Sequence, residues 1–174
     1  MIQHVNEKLL KISLNEVKPF LDAKHSADPV VGIVIVDLPE LEIEGSSGFI
    51  YHFHAARIFT SSNETPNFVN PHYHMKGEEP YHILAGDKGE MNIGKVVDGK
   101  VLWQEPKIIK TGDLIEVQEG EVHSLRNLGL TPLDFTFACP DEHLIDHSSE
   151  QPEGDRYLTK NLQDGFPSQY SVVS

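Results

Sequence analysis

Residues 70–86 read NPHYHMKGEEPYHILAG. His72 and His74 stand two apart, so on a strand their imidazoles share one face. Met75-Lys76-Gly77-Glu78 reads as a tight connection, and Glu79 opens the strand that follows. Two imidazoles and a carboxylate thus converge across a hairpin, a donor set that Fe, Mn, Ni, Cu, Co or Zn accept. Residues 112–127 read GDLIEVQEGEVHSLRN. Gln118-Glu119-Gly120 makes a turn, and His123 lies early on the strand leaving it, where it is the natural fourth ligand. Glu78 adjoins Glu79 and competes for the carboxylate position. With Glu79 inward, Tyr81, Ile83 and Ala85 share its face and His82 points out; with Glu78 inward, Pro80, His82 and Leu84 do.

The elements that must hold these residues are short strands. Residues 30–37, 48–60, 81–85, 89–97, 100–104, 107–110, 114–117, 122–128 and 132–139 are β-branched, aromatic or alternating, with Gly, Pro and acidic punctuation between them. Asp98-Gly99 is the pair that favours a type I′ hairpin turn. Strands at this spacing predict an antiparallel sandwich or barrel over residues 30–139. Residues 1–29 form an N-terminal extension. In it Ser13 and Glu16 resemble a helix start, Val17, Phe20 and Leu21 give a short apolar stripe, and Pro19 must sit in the first turn or kink the segment. Residues 140–174 are polar and rich in Pro and Gly, a tail that packs on the barrel or is partly disordered.

At this point the sequence resembles the cupin superfamily. Its first motif is HxH, three or four residues, Glu, six residues, Gly, matched by His72, His74, Glu79 and Gly86. Its second motif is matched by Gly112, Gly120, His123 and Asn127. Gln118 stands where the family usually has Pro, and Pro66 where a Gly often precedes the HxH; both are turn positions and leave the ligand set intact. The family spacing to Gly86 and the apolar character of Ile83 favour Glu79 over Glu78. The resemblance implies an all-β double-stranded β-helix, a jelly-roll barrel, holding one divalent transition metal on His72, His74, Glu79 and His123. Four such ligands leave two positions on an octahedral ion. It also implies pairing into a homodimer. Cupins host many chemistries. Sites with three histidines and a glutamate are similar to those of cupin dioxygenases, so a dioxygenase-type oxidoreductase acting on a small molecule is the leading expectation. The alternatives are a sugar isomerase or epimerase, a lyase, and a non-catalytic binding or sensing barrel.

Around the motifs, Tyr51, Phe53, Ala55, Arg57 and Phe59 share one face of their strand, a core or interface face, with His52 and His54 on a polar outer face. If the Arg57 face lines the barrel, Arg57 could bind a substrate carboxylate or phosphate bidentately. Tyr81 follows Glu79 on the inward face as a proton donor or pocket wall. Asn127 reads as structural, bonding a loop; Trp103 as a packing residue; Cys139 as a small buried hydrophobe. His4, His25, His82, His143 and His147 read as solvated. The basic residues near the motifs are few: Lys76, Arg57 and Arg126. That scarcity leans towards neutral or cationic substrates, a leaning that one buried arginine would overturn.

The 174 residues carry a net charge of −13. Nucleic acid and anionic membranes need clustered Lys and Arg, so neither is expected as a partner. The single cysteine excludes an internal disulfide framework. No apolar run approaches the ~20 residues that span a bilayer, and no basic region precedes an apolar stretch at the N-terminus. A cytoplasmic protein is the expectation.

Overall fold

The computed structural model describes residues 2–24, 33–44, 48–60 and 67–170, with side chains placed for all but residues 39–44. His25 and Pro66 lie outside these residues, as do the first positions of the strand expected from residue 30.

Two helices open the chain, α1 (Gln3–Lys11) and α2 (Leu14–Ala23). Each buries one stripe: Val5 and Leu9 from α1, Val17 and Leu21 from α2, four residues apart in both cases. The Ser13 N–H donates to Glu16 Oε2 at 3.3 Å at the start of α2. Pro19 sits inside α2 rather than in its first turn, so the helix forgoes the hydrogen bond that an N–H there would have donated.

Eleven strands follow among the described residues: β1 (Val34–Glu44), β2 (Ile50–Ile58), β3 (His72–Tyr73), β4 (Glu79–Ala85), β5 (Gly89–Val97), β6 (Lys100–Trp103), β7 (Lys107–Ile109), β8 (Leu114–Val117), β9 (Glu121–Asn127), β10 (Leu133–Cys139) and β11 (Tyr157–Leu158). One sheet runs β1-β2-β10-β4-β8; the other runs β11-β3-β9-β5-β6, with β7 also on β5. All pairings within these sheets are antiparallel. From β2 to β5 the chain changes sheet at every step, makes the β5-β6 hairpin and β7 in one sheet, then alternates again through β8, β9 and β10. This is a double-stranded β-helix, a jelly-roll barrel. At the β5-β6 turn Asp98 has φ 51° and Gly99 φ 75°, the two positive values that a type I′ turn requires.

Burial falls into two layers. Inside the barrel, Ile83, Phe135 and Phe137 of one sheet meet Met91, Ile93 and Leu125 of the other. On the outside of the first sheet, Val34, Val36, Tyr51, Phe53, Ala55 and Ala138 pack against Val5, Leu9, Val17 and Leu21 of the helices. The N-terminal extension is therefore a second wall of core. Both faces of β2 are covered, and this corrects the expected polar outer face. His54 points into the barrel, stacked on Phe137 with ring centroids 5.0 Å apart, and its Nδ1 lies 2.9 Å from Asp37 Oδ1. His52 keeps more contact with solvent and faces Asp141 at 3.7 Å.

The tail packs along the barrel. A short 3-10 helix (Asp141–Leu144) leads to β11, which pairs with β3, and Tyr157 stacks on Tyr73 at 4.9 Å. Further on, Tyr170 and Ser124 share a hydrogen bond of 2.7 Å, and Trp103 Nε1 donates to the Asp164 carbonyl at 2.8 Å. No helix among the described residues is long and apolar enough to cross a membrane.

Asn127 closes the end of β9. Its Nδ2 donates to the carbonyls of Ile58 and Thr131, and its Oδ1 accepts from the Gly129 N–H. The residue is buried, so these groups have no water to fall back on. Asn127→Ala is expected to lower unfolding stability by about 2 kcal/mol with metal content unchanged, as read by urea denaturation and elemental analysis.

Candidate metal centre

His72 and His123 are direct partners across β3 and β9 in one sheet. Glu79 starts β4 in the opposite sheet, and His74 lies in the connection between them. Gly77 fixes the shape of that connection. It has φ +83°, and a Cβ there would meet Tyr51 Oη at 2.7 Å. Its N–H donates to Glu119 Oε1 at 2.7 Å, and the Gly120 N–H donates to the His74 carbonyl at 2.7 Å. The two motif loops are thus hydrogen-bonded to each other, and the barrel brings the four side chains into one buried cluster. One donor atom from each of His72, His74, Glu79 and His123 lies within 4.8 Å of the others. The register leaves Glu79, Tyr81 and Ile83 inside, while Glu78 is half-buried at the rim.

Each imidazole is held from behind by a backbone carbonyl. His72 Nδ1 donates to Asn70 O at 2.7 Å, His74 Nδ1 to Asp155 O at 2.8 Å, and His123 Nδ1 to Glu121 O at 3.1 Å. A neutral ring that donates from Nδ1 presents a lone pair at Nε2. The buried Nε2 atoms of His74 and His123 have no hydrogen-bond partner, although Glu79 Oε2 is 2.7 Å from the first and 3.8 Å from the second. Lone pairs aimed at a carboxylate repel it, so either a proton or a divalent cation must lie between them. The donor set fits such an ion: the cluster is compatible with a single divalent metal. Burial, and then the neighbouring imidazoles, push the His72 pKa well down. Burial pushes that of His123 down to about 4. Against its own burial, Glu79 is held well below the usual carboxylate range by His74 and His143. His72 and His123 are therefore neutral and Glu79 is ionised at neutral pH, the forms that metal binding requires.

Tyr81 lies beside this cluster. Its hydroxyl donates to Glu79 Oε1 at 3.0 Å, and burial together with the Glu79 charge pushes its pKa well up. Arg57 is elsewhere. Its face of β2 meets the helices, and its guanidinium binds Asp134 Oδ1 at 2.7 Å and Oδ2 at 2.9 Å, and Asp22 at 2.8 Å. The structure does not bring it to the cluster, because the helical layer turns that face into an outer core.

The tail supplies what the sequence reading missed. His143, read there as solvated, is fully buried and stacks on His74 with ring centroids 3.9 Å apart. Its Nδ1 is 3.3 Å from Glu79 Oε2 and its Nε2 is 2.6 Å from Lys76 O. Both nitrogens face acceptors, so both must donate, which is the imidazolium form. Burial lowers its pKa, but the Glu79 hydrogen bond and charge outweigh this, so it is raised. Asp155 accepts from the N–H groups of Met75 and Lys76 at 3.0 and 2.8 Å, tying the tail to the ligand hairpin. Ile33, Ile35, Val69, Tyr81, Phe135, Phe137 and Leu144, with Arg156, line a small cavity of about 30 Å³ at His72, Glu79 and His143.

These shifts set a pH dependence for the metal-free chain. His72 and His123 have folded pKa values below the unfolded 6.5. Their contribution is present above pH 6.5 and is lost as pH falls through the folded values, for His123 about 4. His143 is raised, so its contribution is full below 6.5 and is lost as pH rises through its folded value. Thermal melts of metal-free protein should therefore show stability falling between about pH 6.5 and 4, with a shallower alkaline decline that His143→Gln removes.

No protein-family model matches the chain, and no curated protein matches it. Among solved structures, similar folds include oxalate decarboxylase of Bacillus subtilis (19% identity, TM-score 0.46, covering 71% of this chain and 29% of that one). Oxalate oxidase is another (16% identity, TM-score 0.48, 67% of this chain and 54% of that one). A third is an uncharacterized conserved protein with a double-stranded β-helix domain from Klebsiella pneumoniae (20% identity, TM-score 0.43, 67% and 87%). This chain thus spans about half the length of the oxidase and under a third of the decarboxylase. Its own strand order and register define the class: a double-stranded β-helix barrel with a buried His/Glu cluster.

Proposed function

We propose that His72, His74, Glu79 and His123 hold one divalent transition metal, and that the chain is a metal-dependent enzyme of dioxygenase type acting on a small molecule. The observation that supports this best is the pair of buried, partnerless Nε2 atoms facing the Glu79 carboxylate. When bound, the metal supplies Lewis-acid polarisation and, if redox-active, oxygen activation. The chain's own residues do the rest. Ile33, Ile35, Val69, Phe135 and Phe137 form apolar walls that exclude water. The carbonyls behind the histidines fix each ring. Tyr81 holds its proton on Glu79 Oε1, and His143 holds a positive charge beside Glu79 Oε2. The working unit is the barrel of residues 30–139 with the tail of 140–174 closed on it, as a cytoplasmic homodimer.

The test is metal content by mass spectrometry on protein purified without chelator, followed by oxygen consumption against phenols, thiols and diketones. Stoichiometric iron, manganese, nickel or copper with oxygen uptake supports the reading. Zinc-only protein with no uptake overturns the oxidoreductase assignment and moves the chain to the isomerase, lyase or binding class.

A further inference from the structure

Arg156 is the one arginine or lysine lining the cavity beside His72 and Glu79. It comes from the tail, and only 7% of its side chain is exposed. Its Nε donates to Asp146 Oδ1 at 2.5 Å. Among the described residues no hydrogen bond engages either Nη group, so the fork of the guanidinium has no protein acceptor. A guanidinium on the cavity lining whose fork meets no protein acceptor is open to a ligand there. Its backbone is fixed from both sides: its N–H donates to Ile145 O at 3.0 Å, and its carbonyl accepts from the His147 N–H at 3.0 Å. Next to it, Asp155 binds the ligand hairpin through Met75 and Lys76.

We propose that Arg156 is a substrate-binding residue, and that the substrate is a small monocarboxylate with a compact apolar body, its carboxylate on the Arg156 fork. This rests on the reading of the neighbouring cluster as a metal-dependent active site. A planar carboxylate matches two parallel N–H donors. Asp146 already offsets part of the charge, and the other walls are mostly aliphatic or aromatic, so a singly charged ligand suits the site better than a dianionic phosphate. The tail is then part of the substrate site, and the scarcity of cations around the two motifs does not describe the pocket.

The test is calorimetric binding of isobutyrate and isobutyramide to metal-loaded and metal-free protein, for wild type, Arg156→Met, Arg156→Lys and Asp146→Asn. Metal content is measured for each. The proposal expects wild type to prefer the acid. It expects Arg156→Met to bind the acid roughly 10- to 100-fold more weakly with metal content unchanged, and Arg156→Lys to fall between. Should Arg156→Met not fold, the Lys variant and the acid/amide ratio of wild type decide. Equal binding of acid and amide by wild type overturns the proposal. So does an unchanged acid affinity in Arg156→Met, or a matched loss of stability in Arg156→Met and Asp146→Asn with the acid/amide ratio untouched, since the arginine would then be only a strut. Wild type that binds the acid through Arg156 but takes up no metal supports this assignment while sinking the metal reading.

Discussion

Glu79→Gln is expected to remove metal binding, weakening affinity by more than about 100-fold, whereas Glu78→Gln leaves it at the wild-type level. The two glutamates are neighbours in sequence and differ in register. Glu79 is buried, with Oε2 2.7 Å from His74 Nε2 and 3.8 Å from His123 Nε2. Glu78 is half-buried, and its backbone carbonyl accepts from the Tyr51 hydroxyl at 2.9 Å. An amide at position 79 keeps the size but withdraws the negative charge that balances a divalent ion. It also offers an NH2 group where Tyr81 and His143 already donate. The effect should appear in stability as well, because a metal at 100 times its Kd stabilises the folded state by about 2.7 kcal/mol. Adding metal should raise the Tm of wild type and Glu78→Gln and leave that of Glu79→Gln in place. Equal metal content in wild type and Glu79→Gln, or its loss in Glu78→Gln alone, would reverse the assignment.

Asp155→Ala is expected to cost about 3 kcal/mol of stability and to weaken metal affinity by roughly 10- to 100-fold, though Asp155 is outside the four-residue cluster. Its carboxylate receives the Met75 and Lys76 N–H groups, and its carbonyl holds His74 Nδ1. It is 1% exposed, so removing the carboxylate strands two N–H groups in the connection that carries His74. Asp155→Asn retains one acceptor oxygen and should recover part of both losses. Denaturant melts of metal-free protein isolate the first effect, and competitive chelator titration the second. An alanine variant with wild-type metal affinity would show that the tail does not position the ligand hairpin.

The barrel and the His/Glu cluster were legible because both are local signals. Strand alternation and turn residues mark the sheet, and the HxH spacing places two imidazoles on one face wherever the strand lies. Parity along β4 correctly separated Glu79, Tyr81 and Ile83 from His82. Parity along β2 gave two faces but not which one looked inward, because that depends on α1 and α2, whose stripes of Val5, Leu9, Val17 and Leu21 cover the Arg57 face. Arg57 and His54 were misread for that one reason. His143, Asp155 and Arg156 were invisible for another. His143 and Asp155 reach the cluster through contacts 64 to 81 residues away in the chain, Arg156 lines the cavity beside it, and a polar, Pro- and Gly-rich tail carries no periodicity to announce which of its residues turn inward. The pairing of β11 with β3 is what aligns them.

One divalent metal is expected among His72, His74, Glu79 and His123. Anomalous scattering from a crystal of protein purified without chelator tests it most directly, by locating and identifying the ion together. A single strong peak is expected, coordinated by the three Nε2 atoms and a Glu79 carboxylate oxygen. No peak in that cluster, or a peak held instead by His74, His143 and Asp155, would contradict it.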